Sequence, residues 1–373
     1  MYIHEQKDWP HFLWDQEKLT PLLIQLRHKQ GRLIGGMESI GFQVREETIL
    51  QTLTEDVVKS SQIEGEILDQ SLVRSSVARH LGMDIGALKP VDRHVEGVVL
   101  MMLDATQKFD QPLTKERLFG WHSSLFPTGR SGFSKIRVGA WRTGPVEVVS
   151  GQMGKETVHF EAPEAKRVEH EMALFLDWFN QDTSTDLVLK AAIAHLWFVT
   201  IHPFDDGNGR IARAIGDLLL ARSEKSSRRF YSLSGQIQKE RKGYYAVLEK
   251  TQKDGLDITP WIEWFFHCLS RAIDEALETL DTILYKSQFW EALAEIPLNE
   301  RQRKVINRLL DGFEGKLTSS KWAKMTQCSQ DTAYRDILDL LERGILIKNE
   351  EGGRSTSYSL KNQREKSDHS SKK

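Results

Sequence analysis

Cysteine is almost missing from this sequence, with two residues, Cys268 and Cys328, in a chain of 373. They lie far apart and outside any metal-site spacing, which argues against a disulfide framework and a cysteine zinc site and suits a reducing compartment. Charge of one sign is missing too. Lys+Arg 51 against Asp+Glu 53 leaves a net charge of -2, so the chain is no polycation built to coat nucleic acid or an anionic membrane. Long apolar runs are absent: the longest, Leu187 to Ile201, is broken by Lys190, His195 and Thr200 and is too short to span a bilayer. Met1–Gln6 carries no basic stretch ahead of an apolar one, so no signal peptide is expected, and a soluble, cytoplasmic protein is. What remains is ordinary globular composition, 39% hydrophobic and 28% charged, with length for about two domains.

The patterning predicts a mainly α chain. Leu19, Leu22, Leu23, Leu26 and Leu33 recur near helical spacing, with Pro21 where a helix can start. Leu53, Val57, Ser60 and Glu64 make one stripe of a second helix, over about 48–66, that Gly65 can interrupt. Further helices are expected over Val95–Leu103, 114–127, Pro163–Asn180, Asp186–Ile201, Arg210–Arg222, Gly243–Lys253 and Thr259–Leu284. Between them, residues 128–144 are broken by glycines. Val146–Val149 and Thr157–Phe160 then flank the turn Ser150–Gly154, which predicts a β-hairpin. After Pro297 come three short helical stretches (Glu300–Leu310, Thr318–Thr326, Asp331–Arg343). Ile345–Lys348 and Ser355–Leu360 follow, around a Glu350–Gly353 turn. That order is the pattern of a winged helix-turn-helix. The domains expected are an N-terminal helical region over 1–111, a core over 112–285, a winged helix over 297–361 and a disordered polar tail over 362–373.

Chemistry concentrates in His202-Pro203-Phe204-Asp205-Asp206-Gly207-Asn208-Gly209-Arg210-Ile211-Ala212-Arg213. Glycines around an asparagine let consecutive backbone N–H groups turn toward one point, and the helix that follows adds partial positive charge there. Arg210 and Arg213 project from its first turn, completing a polyphosphate cradle. Asp206 is a hard oxygen ligand suited to Mg²⁺. His202, with a near-neutral pKa, suits proton abstraction from a hydroxyl. Phe204 is expected to pin the loop to the core. A plain linker between two buried helices needs none of this collection.

These residues resemble, without departure, the signature HxFx(D/E)GNGRxxR of the Fic family. Gly139-Ala140-Trp141-Arg142 ahead of the hairpin is similar to that family's flap. The resemblance covers about 112–270. It implies a Fic-type helical core and transfer of AMP from ATP to a Ser, Thr or Tyr hydroxyl of a target protein. It also implies His202 as general base, Asp206 as the Mg²⁺ ligand, and Phe204, Asp205, Gly207, Asn208 and Gly209 as the phosphate-binding loop. Arg210 and Arg213 would then hold the β- and γ-phosphates. The flap edge Val146, Glu147, Val148 and Val149 would dock an extended target segment through main-chain bonds.

Ser60-Ser61-Gln62-Ile63-Glu64-Gly65 fits the family's inhibitory pattern (S/T)xxxE(G/N), which implies that Glu64 pairs with Arg213 and blocks the γ-phosphate. Tyr244, Tyr245 and Gln252 are candidates for the adenine pocket. His195 is expected to be a buried structural histidine, and His170 with Glu171 lacks a second ligand pair for zinc. Two other readings are carried: removal of AMP at the same site, and a DNA-binding regulator with an accessory Fic domain. Residues 297–361 hold 12 Lys/Arg and 9 Asp/Glu, and Asp331, Asp336, Asp339 and Glu342 make the candidate recognition helix acidic. Expected partners are thus a target protein, DNA or a protein at the winged helix, and a second copy in a homodimer, with no membrane.

Overall fold

The computed structural model describes residues 1–86, 89–150, 157–349 and 356–361. Two compact units divide the chain, Met1–Asp281 and Thr282–Lys373. The helical region expected over 1–111 and most of the core expected over 112–285 therefore share one unit.

In that unit a short 3-10 turn, Ile3–Glu5, precedes α1 (Gln16–Ser39), α2 (Phe42–Ile63), α3 (Gln70–Leu81), α4 (Arg93–Gln107) and α5 (Lys115–Leu125). Asp15, Asp69, Asp92 and Thr114 cap α1, α3, α4 and α5 by accepting from backbone N–H groups of the first turn. Pro21 does not begin α1 but sits inside it, where it forgoes one backbone bond. The glycine-broken stretch contains a small hairpin, β1 (Arg130–Ser131) with β2 (Ser134–Lys135), that alternation gave no sign of. The expected hairpin is β3 (Glu147–Ser150) with β4 (Thr157–Glu161), antiparallel with Val148 opposite Phe160 and a register irregularity after it. Residues 151–154 of its expected turn lie outside the described residues.

The helices α6 (Val168–Gln181), α7 (Leu187–Ile201), α8 (Asn208–Glu224), α9 (Leu233–Lys239), α10 (Arg241–Gln252) and α11 (Thr259–Ala292) follow. Every residue of α7 from Val188 to Ile201 is buried, as an all-round apolar helix must be. Each fully buried Leu, Ile or Phe there contributes about 1.5–3 kcal/mol. This rod is the floor on which the motif stands, since α8 packs along it and α4 packs on α8.

The second unit holds α12 (Glu300–Leu310), α13 (Ser319–Thr326), α14 (Gln330–Glu342) and antiparallel β5 (Leu346–Lys348) and β6 (Tyr358–Leu360). Asn299, Thr318 and Ser329 cap the three helices. Trp322, Val305, Ile306, Ile337 and Leu360 are fully buried in its core. The Glu350–Gly353 turn, Arg354 and the polar tail over 362–373 lie outside the described residues.

Candidate functional site

The motif begins where α7 stops. His202 takes left-handed backbone angles, φ 50° and ψ 59°, which a residue other than glycine adopts only when its surroundings hold it there. Its Nδ1 lies 3.1 Å from the carbonyl oxygen of Val199. Nδ1 therefore carries the proton and donates, leaving the Nε2 lone pair as the basic atom. Burial, with Arg142 nearby, lowers the pKa of His202 from its ordinary value.

Phe204 is fully buried and stacks on His122, ring centroids 4.1 Å apart and nearly parallel, with Trp141 beside it. Its side chain anchors the loop to the core, as expected of it. The Asn208 side chain closes the same loop: Oδ1 accepts from Phe204 N–H at 3.0 Å and Nδ2 donates to its carbonyl at 2.9 Å. Asp205 accepts from the backbone N–H of Arg137 at 2.8 Å, so its carboxylate also braces the loop. Gly207 has φ +81° and a Cβ there would lie 2.9 Å from the Phe126 ring, so only glycine fits. Among the described residues no side chain caps α8, and its first N–H groups, from Asn208 onward, have no intrahelical partner. The start of α8 thus presents backbone N–H groups, while the side chains of Phe204, Asp205 and Asn208 brace the loop that leads to it.

Asp206 is held at both oxygens, by Gly207 N–H at 2.6 Å and by the Ser131 hydroxyl of β1. His122 supports the same residue from behind. Its Nδ1 accepts from Gly139 N–H and its Nε2 donates to the Asp206 carbonyl. Burial pushes the His122 pKa down to about 4, so it stays neutral and keeps that tautomer. Sequence reasoning passed over His122 because a histidine in an amphipathic helix carries no motif.

Arg142, quoted earlier only as part of the flap approach, is buried and binds four carbonyls. Its guanidinium donates to His202 O at 2.7 Å, Gly144 O at 2.9 Å, Pro163 O at 2.5 Å and Ile201 O at 3.4 Å. It fastens the end of α7 to the segment leading into the hairpin. Arg142→Ala leaves those carbonyls buried without donors, which costs about 3 kcal/mol. Thermal denaturation should show a fall on the order of 10 °C; a shift within a degree or two would show that other contacts hold the loop.

Both motif arginines are buried and both meet a carboxylate from the end of α2. Arg213 Nη2 lies 2.8 Å from Glu64 Oε1, with the arginine side chain 1% exposed and the glutamate 32%. Its Nε also donates to Ser60 Oγ at 2.9 Å, so Ser60 and Glu64 share the arginine as their one-turn spacing implies. Burial works against the guanidinium charge, yet Glu64 beside it holds the Arg213 pKa above the ordinary value. Glu64 also lies over the mouth of α8, since a Cβ on Gly209 would come 2.1 Å from Glu64 Oε1. Arg210 Nη1 lies 2.7 Å from Glu66 Oε2 and its guanidinium covers the Phe126 ring. Arg213 Nη1 and Arg210 Nε are buried with no hydrogen-bond partner among the described residues. Glu66 went unread because an acid two residues past the inhibitory glutamate belongs to no pattern.

Of the adenine candidates, Tyr244 is buried and its hydroxyl bonds His195 Nε2 at 2.8 Å; burial pushes the His195 pKa down to about 3, as a structural histidine requires. Gln252 is buried too and donates to Thr200 Oγ1 at 3.2 Å, tying α10 to α7. Tyr245 keeps a partly exposed ring, its hydroxyl donating to Ile63 O at the end of α2. In the hairpin, Val149 is 47% exposed, while Phe160 is buried beneath Tyr2 and His4 of the N-terminal segment. His4 Nε2 adds a bond to Glu161 O at 2.9 Å, so the first residues of the chain brace the base of β4.

The geometry on α7 and α8 is that of a Fic/DOC domain. Residues 112–220 match the Fic/DOC family, and residues 2–83 match a domain of unknown function, DUF4172. The chain carries a Fic/DOC domain. It is 36% identical over 105 residues to protein adenylyltransferase Fic of Drosophila willistoni, covering 28% of this chain and 20% of that one. To protein adenylyltransferase Fic of Nematostella vectensis it is 33% identical over 117 residues, 31% of this chain and 26% of that one. The chain thus spans a quarter or less of the first of these relatives and about a quarter of the second. A Fic family protein from Desulfovibrio desulfuricans G20 shares the fold, with TM-score 0.52, 22% identity and coverage of 92% of this chain and 97% of that one. So does a Fic domain containing signaling protein from Bacteroides thetaiotaomicron VPI-5482, with TM-score 0.51, 19% identity and coverage of 70% and 97%.

Proposed function

We propose that this protein transfers AMP from ATP to a Ser, Thr or Tyr hydroxyl of a target protein. One observation carries the reading: two buried arginines, each with an N–H that lacks a partner among the described residues, flank the start of α8, which none of those residues caps with its side chain, beside a histidine whose Nε2 is basic. A triphosphate supplies the acceptors this group of donors lacks. In the reaction, His202 Nε2 takes the proton from the target hydroxyl and the oxygen attacks the α-phosphorus. The bond to the β-phosphate oxygen breaks, and pyrophosphate leaves with that electron pair. Arg210 holds the β-phosphate and Arg213 the γ-phosphate, so the contribution of the site is positioning and charge neutralisation. Adenine is placed against Tyr245, with Tyr244 and Gln252 behind it. The exposed edge around Val146–Val149 aligns the target segment by strand addition.

Asp206 is the residue that would hold a Mg²⁺ accompanying the triphosphate. Its orientation is fixed by Gly207 and Ser131, and among the described residues no cluster of three acids, histidines or cysteines offers an all-protein site. The ion would supply charge to offset the polyphosphate.

Glu64 is read as a brake, because its carboxylate occupies the Arg213 donor that a γ-phosphate needs. With α-labelled ATP, Glu64→Gly should label protein at least about tenfold more than the unsubstituted chain, a change of about 1.4 kcal/mol. Label should not follow from γ-labelled ATP. Transfer of the γ-label, or no label from either nucleotide, overturns the AMP-transfer reading.

For the second unit we keep the winged-helix reading as accessory. The DNA-regulator alternative is weakened by pairing within the unit. Arg301 binds Asp336 at 2.7 Å and Arg343 binds Asp339 at 2.8 Å, which withdraws two cations from a basic face along with two of the helix acids. The near-absence of cysteine supports a cytoplasmic setting.

A further inference from the structure

We propose that the N-terminal domain over 2–83, besides placing Glu64 at Arg213, presents a second carboxylate, Glu66, that stands in for the β-phosphate at Arg210. The inference rests on the reading of those arginines as phosphate ligands and extends it to a second, separate contact.

The spacing of the two acids is set by backbone. At the end of α2, Gly65 N–H donates to Gln62 O at 3.1 Å and Glu66 N–H donates to Ser61 O at 3.0 Å. That pair of bonds is a Schellman turn, and it requires a left-handed residue between Glu64 and Glu66. Gly65 provides it, with φ +86°. Glycine at this position therefore fixes where Glu66 goes as well as ending the helix. Arg210 and Arg213 lie one turn apart on α8, and the turn brings one acid to each at 2.7 and 2.8 Å. Glu66 is further held by His94 of α4, whose Nε2 meets its other carboxylate oxygen. The Arg210 side chain is 5% exposed and Glu66 takes its Nη1, so a phosphate that binds at Nη1 displaces Glu66. Glu64 alone leaves this contact untouched, and releasing it opens half of the cradle.

Calorimetric titration with AMP, ADP and ATP in the presence of Mg²⁺ separates the two acids. Glu66→Ala should tighten both ADP and ATP by about five- to tenfold, tenfold corresponding to about 1.4 kcal/mol. Glu64→Gly should tighten ATP and leave ADP unchanged. The double variant should bind ATP more tightly than either single one, and AMP affinity should move in none. Glu66→Gln keeps the side-chain volume and removes the charge, so it serves if the alanine variant folds poorly, and it should shift ADP in the same direction. Unchanged or weakened ADP binding in a folded Glu66 variant overturns the proposal and makes Glu66 a mere support for Arg210. The two readings fail separately. Tightened ADP without AMP transfer from ATP sinks the transferase reading alone, and AMP transfer with ADP affinity indifferent to Glu66 sinks this one alone.

Discussion

His202→Ala is expected to reduce AMP transfer by about 10²–10⁴-fold while ATP still binds, because the substitution removes the basic atom and leaves the α8 cradle in place. The Nδ1 contact to Val199 O reserves Nε2 for the proton, and Arg142 fixes the backbone from which the ring projects. The same geometry sets the pH dependence. The base must be neutral to act, and burial lowers its pKa below the ordinary 6.5. The group therefore stays competent as pH falls through 6.5, and the acid limb of the transfer rate should lie below that value. Single-turnover transfer from α-labelled ATP, measured across pH in the Glu64→Gly background, checks both statements. Undiminished transfer by His202→Ala removes the histidine from its role, and an acid limb above 6.5 contradicts the buried environment.

How much of this was legible in advance follows from which forces are local. The run from His202 to Arg213 was readable as a loop leading into a helix because both lie in one stretch of chain, and α7 was readable because its apolar residues go all the way round. Ser60 and Glu64 were readable as a one-turn pair that the structure seats on a single arginine. Arg142, His122 and Glu66 were not, since each reaches the motif through one partner that lies far away in the chain, 60, 84 and 144 residues respectively. Small residues misled in their own way. Pro21 reads as a helix start but lies within α1, and the glycines of 128–144 read as loop although four of its residues pair as β1 and β2. The acidic character of α14 was counted correctly from composition, but Asp336 faces Arg301 and Asn299, so part of that charge never reaches the surface. Composition reports how many charges there are; packing decides where they point.

The largest effect after that of the histidine is expected at Asp206. Asp206→Asn keeps the size of the side chain and retains an oxygen to accept from Gly207 N–H, so the loop should fold as before. It removes the single negative charge that Ser131 and Gly207 hold in one orientation. A hard divalent cation bound through one carboxylate loses most of its protein affinity with that charge. Transfer should therefore fall by about 10²-fold or more, consistent with removal of one electrostatic stabiliser from a preorganised site. Chelation with EDTA should lower the activity of the unsubstituted chain to the same floor and should not lower the variant further. ATP affinity measured in EDTA should be equal for the two proteins, whereas the gain in affinity on adding Mg²⁺ should appear only with the aspartate. Full transfer in EDTA, or a Mg²⁺-dependent gain that survives Asp206→Asn, would place the cation elsewhere and leave Asp206 as a loop residue bonded to β1.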